Sequence, residues 1–271
     1  MKLPAIILAL WIGVAATGNA TAQASSVDQG SLTILLSKYV NAHGWVDYAG
    51  LRRDQPVLKA YLATLRNVNV SKMPSNAARL AFWIDAYNAF TLNDVLVYVD
   101  GKTDSVKKVD GFFDKHKHAV AGESLTLDEI EKQARSFHDP RVHFAINCAS
   151  ASCPRLQRFA FVTSHLNQQL NQAAAGFLAD PRRGLRLQRT DNTIYLSPIF
   201  EWYAGDFTGA TSTAGQLFSL ASAAFSGENV LKFVEEHSAP DVAAYIRERH
   251  PTVKYMTYDW TLNSQKLHPS S

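Results

Sequence analysis

Cys148 and Cys153 are the only cysteines in the 271-residue chain, and four residues separate them. A thiol attacks or binds metal only as the thiolate, so its surroundings decide what it can do. His143 is the histidine nearest to Cys148 in sequence. In one reading Cys148 is a nucleophile toward an amide, thioester or disulfide in a small thiol or peptide-like substrate. His143 is then its base, and Glu131 or Asp85 orients the imidazole. Cys153 is in that case a resolving thiol. In a second reading the two cysteines form a structural disulfide, since a short irregular turn brings two Cα atoms within the usual ~4.4–6.8 Å. Closing so short a loop adds only ~2 kcal/mol in the chain-entropy model, and a domain of this size does not need it. A metal centre using His143, Cys148 and Cys153 is a third reading, and a binding module with incidental cysteines a fourth.

Other clusters carry less chemistry. His116 and His118 are two apart, but Lys115 and Lys117 beside them read as a solvated basic stretch. Trp202, Tyr203, Phe207 and Trp260 suit a sugar or peptide groove and equally an aromatic core. The chain has no glycine-rich phosphate loop, HExxH or G-x-S-x-G, so nucleotide and zinc-protease chemistry are set aside and no cofactor is expected. Its 27 basic and 24 acidic residues are scattered, with net charge +3. That distribution excludes a nucleic-acid footprint.

The elements that must position these residues follow from periodicity. Apolar residues from Asp28 onward recur at helical spacing until His43-Gly44. Trp45–Tyr48 reads as extended, and Pro56, Leu58, Leu62 and Leu65 mark a second helix capped by Asp54. Ser75 to about Val99 is apolar on nearly every side, which predicts a buried central helix. Asp85 and Asn88 lie three apart on it, hence on one face, and need partners there. His118–Ala121 and a Gly122-Glu123 turn precede the capping box Thr126-x-x-Glu129, which opens a helix to about Phe137. Asp139-Pro140 breaks it.

Val142–Asn147 reads as a short buried strand that ends at Cys148, and Ser150, Ser152 and Pro154 signal a helical turn after it. Backbone N–H groups at such a junction favour a thiolate and can stabilise an oxyanion. His143 shares a strand face with Ala145 and Asn147, so it reaches Cys148 only where the chain turns. Beyond lie a helix from Thr163 or Ser164 to Leu178 and a hairpin of Leu185–Gln188 with Thr193–Ser197. Two or three short helices between Ala214 and Arg249 come next, and the alternating run Val253–Tyr258 can close the sheet. The fold class is α+β: one helix-rich domain over residues 26–265, with a small mixed or antiparallel sheet and a buried central helix.

Lys2, the apolar run Ala5–Ala16 and Ala22-Gln23-Ala24 form a signal-peptide pattern over residues 1–24. The run is shorter than the ~20 residues that span a bilayer, so no stable membrane anchor remains after cleavage. The mature protein is expected in the periplasm or outside the cell.

Four segments carry a family resemblance. They are Phe82–Ala89 (FWIDAYNA), Arg141–Ser150 with Cys153-Pro154 (RVHFAINCAS, CP), Phe200–Tyr203 with Asp206-Phe207 (FEWY, DF), and Tyr258–Asn263 (YDWTLN). In this order they resemble the domain of unknown function numbered 547, from about Trp45 to Asn263. Members commonly read Asn where this chain has Asp85. The resemblance implies a bacterial exported protein and no particular activity. His165, His237 and His250 lie outside these segments, so a papain-type order of cysteine before histidine is not supported.

Overall fold

The structure is a computed structural model; it describes residues 27–99, 101, 103–207 and 222–269, with the backbone alone for 222–226. The signal-peptide pattern and the stretch from Ala214 to Ala221 lie outside the described residues. Among them, nine α-helices and two small sheets make an α+β fold.

The first half is helical. α1 (Gln29–Tyr39) starts at Asp28, whose carboxylate accepts from the Gly30 N–H. α2 (Tyr48–Arg53) is capped by Asp47 and begins inside the segment expected to be extended; only Val46 bridges to other backbone there. α3 (Gln55–Leu65) follows Asp54, which spends its carboxylate on Lys38 and Tyr39 instead of on the helix end. α4 (Asn76–Asp94) is capped by Ser75 and continues through a π-helical turn at Val95–Val99. Its buried residues run almost without interruption from Leu80 to Leu92, so it is the central helix expected. β1 (His118–Val120) and β2 (Glu123–Leu125) form an antiparallel hairpin, and the full capping box of Thr126 and Glu129 opens α5 (Leu127–Arg135) against α4.

The segment 142–147 departs from the expected strand. Asp139 accepts from the Arg141 N–H, Pro140 fixes φ at the next position, and Pro140–Phe144 winds as a 3-10 helix. A buried run of six residues, four of them apolar, fits a strand and a buried tight turn equally well, and the cap with its proline decides here. The helical turn expected after Ser150 is a single turn closed by the Cys153 N–H on the Ser150 carbonyl.

α6 (Leu166–Leu178), β3 (Leu185–Gln188) and β4 (Thr193–Leu196) follow, then α7 (Ile199–Trp202), α8 (Ser222–His237), α9 (Pro240–Arg249) and β5 (Thr252–Tyr255). β3 and β4 pair antiparallel, and β5 joins β4 in parallel, so the sheet is mixed. Two apolar clusters result, one around α4 and one around α6 and this sheet. The 3-10 helix and the two residues after it join them: Val142, Ala145 and Ile146 belong to the first, and Phe144 packs with Phe177, Phe200 and Phe233 in the second. Cys148 follows directly on that seam.

Candidate active site

The cysteine loop is held by three asparagines. Asn88, on α4, donates to the Ala145 carbonyl at 2.9 Å and accepts from the Asn147 N–H at 2.9 Å. Asn147 donates to the Pro154 carbonyl at 2.7 Å and accepts from the Ala149 N–H at 2.9 Å. Asn263 donates to Asn147 Oδ1 at 3.0 Å and accepts from the Tyr48 hydroxyl at 2.7 Å. These bonds hold Ala149 at φ 61°, a left-handed conformation that costs a residue with a Cβ roughly 1–2 kcal/mol. The C-terminal segment clamps the same loop, with Ala151 N–H on the Thr261 carbonyl and Ser152 N–H on the Asp259 carbonyl.

Within that frame the two sulfurs lie 2.7 Å apart and are not bonded. The Cys148 N–H donates to Cys153 Sγ at 2.9 Å, and the hydroxyls of Ser150 and Tyr258 lie 3.1 and 3.3 Å from Cys148 Sγ. Burial raises the Cys148 thiol, but hydrogen bonds from Cys153, Ser150 and Tyr258 outweigh it and bring the pKa to about 7. Cys153 is pushed well above the ordinary thiol range, by burial first and then by its neighbour's bond and charge. The pair is therefore asymmetric: the partly exposed Cys148 is the thiol favoured to ionise near neutrality, and the buried Cys153 is the one favoured to keep its proton.

The loop's other N–H groups are taken. Those of Ala149, Ala151, Ser152 and Cys153 have the partners given above, and that of Ser150 supports the Cys148 sulfur. The junction thus lacks the spare donors that the expected strand-to-helix geometry would offer an oxyanion.

His143 lines the same cavity as Cys148. Its Nε2 lies 2.7 Å from Asp206 Oδ2, and Arg135 binds both oxygens of that carboxylate, at 2.7 and 3.2 Å. Burial raises Asp206, but the bonds from His143 and Arg135 prevail and hold it well below the usual carboxylate range. Asp206 is therefore the acceptor and Nε2 carries the proton, which leaves Nδ1 as the basic nitrogen. Burial lowers the His143 pKa despite the carboxylate, so the ring is neutral near pH 7.

The group orienting His143 is thus Asp206, not Glu131 or Asp85. Glu131 lies on the cavity wall with its pKa raised, chiefly by burial, against the opposing pull of Tyr203 and Arg135. Asp85 is turned elsewhere: Oδ1 accepts from the Phe161 N–H at 2.9 Å, and Oδ2 has no hydrogen-bond partner among the described residues. Burial raises its pKa well above the ordinary carboxylate value, against the lowering bond from the Phe161 N–H, and Oδ1 serves, as an amide oxygen would, as an acceptor. Asp85 and Asn88 share a helix face but not a network.

The cavity measures about 130 Å³. Trp202, Tyr203, Tyr258 and Trp260 line it together with Glu131 and both cysteines. Asp206 and Tyr258 sit in two of the segments that carry the resemblance, which is the signal in the sequence for them; neither is among the site residues expected from spacing. Among the described residues no group of three His, Cys, Asp or Glu side chains is placed to hold a metal, so the centre of His143, Cys148 and Cys153 has no donor set. No helix among them is long and apolar enough to cross a membrane.

Residues 70–178 match a family model described as "Protein of unknown function, DUF547". The match spans α4 through α6 and contains His143, Cys148 and Cys153; the segments at 200–207 and 258–263 lie outside it. No curated protein and no solved structure matches.

Proposed function

We propose that this member of the DUF547 family is an exported thiol–disulfide exchange enzyme in which Cys148 attacks and Cys153 resolves. The observation that carries the reading is the asymmetric dithiol: two unbonded sulfurs 2.7 Å apart, with a thiolate-favouring Cys148 and a buried, protonated Cys153. A nucleophile with a pKa near the ambient pH combines thiolate population with reactivity. The taken N–H groups of the loop speak against acyl transfer, which needs donors for an oxyanion. Export rests on the residue pattern of 1–24.

In the first step the Cys148 thiolate attacks one sulfur of a substrate disulfide, forming a mixed disulfide and expelling the other half as a thiolate. Cys153 then attacks Cys148 Sγ, and its proton passes to the second half of the substrate, which leaves as a thiol. The protein pair is oxidised and the substrate reduced to two thiols. A dithiol donor resets the pair; with a substrate dithiol the steps run in reverse.

The test is oxidation of the reduced protein by bis(2-hydroxyethyl) disulfide, a small neutral reagent. The expected product is an intramolecular Cys148–Cys153 disulfide, seen as loss of two hydrogens by intact mass and of both free thiols together. Retention of both thiols under an excess that oxidises a free dithiol would remove the reading. The alternative, a binding protein whose disulfide only shapes the loop, predicts a pair that resists reduction in the folded state.

A further inference from the structure

We infer that the cysteine cavity selects small disulfides and thiols whose short arm ends in a cation, such as an ammonium group close to sulfur. This rests on the exchange reading of the same site. On the scale where ~10–15 Å³ holds one water, the cavity of about 130 Å³ has room for a short substrate arm beside the sulfurs.

Its wall carries two carboxylates, Asp128 and Glu131, one turn apart on α5, and among the described residues no lysine or arginine lines it. Facing the same space are Trp202, Tyr258 and Trp260, a cluster with ring centroids 4.7–6.1 Å apart, and Tyr203. Aromatic faces attract cations, most strongly where water is excluded. Two of these rings already hold one each from outside the cavity: Lys107 Nζ lies 4.8 Å from the Trp260 centroid and the Arg135 guanidinium 4.7 Å from that of Tyr203. Arg135 is committed to Asp206 and, at 3.8 Å, to Glu131; Lys107 also acts on Asp128. Both wall carboxylates nonetheless have raised pKa values, burial being the main cause in each. Trp202 is 49% exposed, so the aromatic wall opens to solvent at one edge. An entering ammonium meets ring faces and carboxylates; an entering carboxylate meets like charge.

The experiment compares three symmetric disulfides of similar size as oxidants of the reduced full chain: cystamine (cationic), bis(2-hydroxyethyl) disulfide (neutral) and dithiodiglycolate (anionic). Each rate is divided by that of a free small thiol with the same reagent, which removes intrinsic reactivity. The expected order is cationic above neutral above anionic, with about tenfold per step at low salt. Glu131→Gln should lower the cystamine rate about fivefold more than the neutral one. Corrected rates within twofold of each other would overturn the selectivity and leave the exchange reading standing. Failure of all three reagents to oxidise the pair would overturn the exchange reading itself. Because the series is run on the unsubstituted protein, a Glu131 variant that fails to fold does not decide it.

Discussion

Cys153→Ser is expected to stop turnover at the mixed disulfide, while Cys148→Ser prevents that adduct from forming. The difference follows from the asymmetry of the pair. Cys148 is the thiol exposed to the cavity and held near neutrality, so its loss removes the attacking thiolate. Cys153 is buried against it and meets only the adduct, so its loss leaves attack intact and removes the release step. With a small disulfide reagent, Cys153→Ser should accumulate a one-to-one adduct on Cys148 by intact mass, released only by added thiol. Cys148→Ser should show at least about a hundredfold slower adduct formation, because the remaining thiol is buried and protonated. A structural disulfide is lost equally from either end, and the two variants would then behave alike.

Asn147→Ala should cost about 3 kcal/mol of stability and slow the reaction of Cys148 as well. Asn147 is buried, and its side chain serves the Pro154 carbonyl, the Ala149 N–H and the Asn263 amide. Each buried partner left unpaired costs ~1–3 kcal/mol, and relaxation of the loop keeps the sum below full additivity. The left-handed Ala149 loses the bond that holds it, so the geometry of Cys148 against Cys153 and Ser150 should loosen too. Urea denaturation and the Cys148 alkylation rate, read on the same preparation, check both effects. A variant as stable and as reactive as the parent would mean that the asparagine network does not position the loop.

Local signals carried the fold further than they carried the site. The all-round apolar pattern of α4, the Ser75 cap, the Thr126–Glu129 box and the β3–β4 hairpin are decided within a few residues, and the structure has them all. Segment 142–147 shows the limit: burial erases the alternation that separates strand from turn, and Asp139-Pro140, readable only as a break, also starts the 3-10 helix. Asp85 and Asn88 share one face of a buried helix, as their spacing implies, but spacing does not say what each meets. One caps the Phe161 N–H and the other the cysteine loop. The partners of the site lie far along the chain: Asp206 is 63 residues from His143, Tyr258 is 110 from Cys148 and Asn263 is 116 from Asn147. Nothing in local spacing ranks Asp206 above Glu131 or Asp85 as the carboxylate for His143; only the packing of the 3-10 helix Pro140–Phe144, α5 and the Asp206 segment does.

The central claim is that Cys148 is a thiolate near neutrality beside a protonated Cys153. It is tested most directly by iodoacetamide alkylation of the fully reduced protein across about pH 5 to 9, with the modified site read by peptide mass. The account predicts modification of Cys148 alone, with a rate that rises to a plateau through an inflection near the pKa of about 7 set by its hydrogen bonds. An inflection near the unperturbed thiol value of ~8.5, or equal labelling of Cys148 and Cys153, would contradict it.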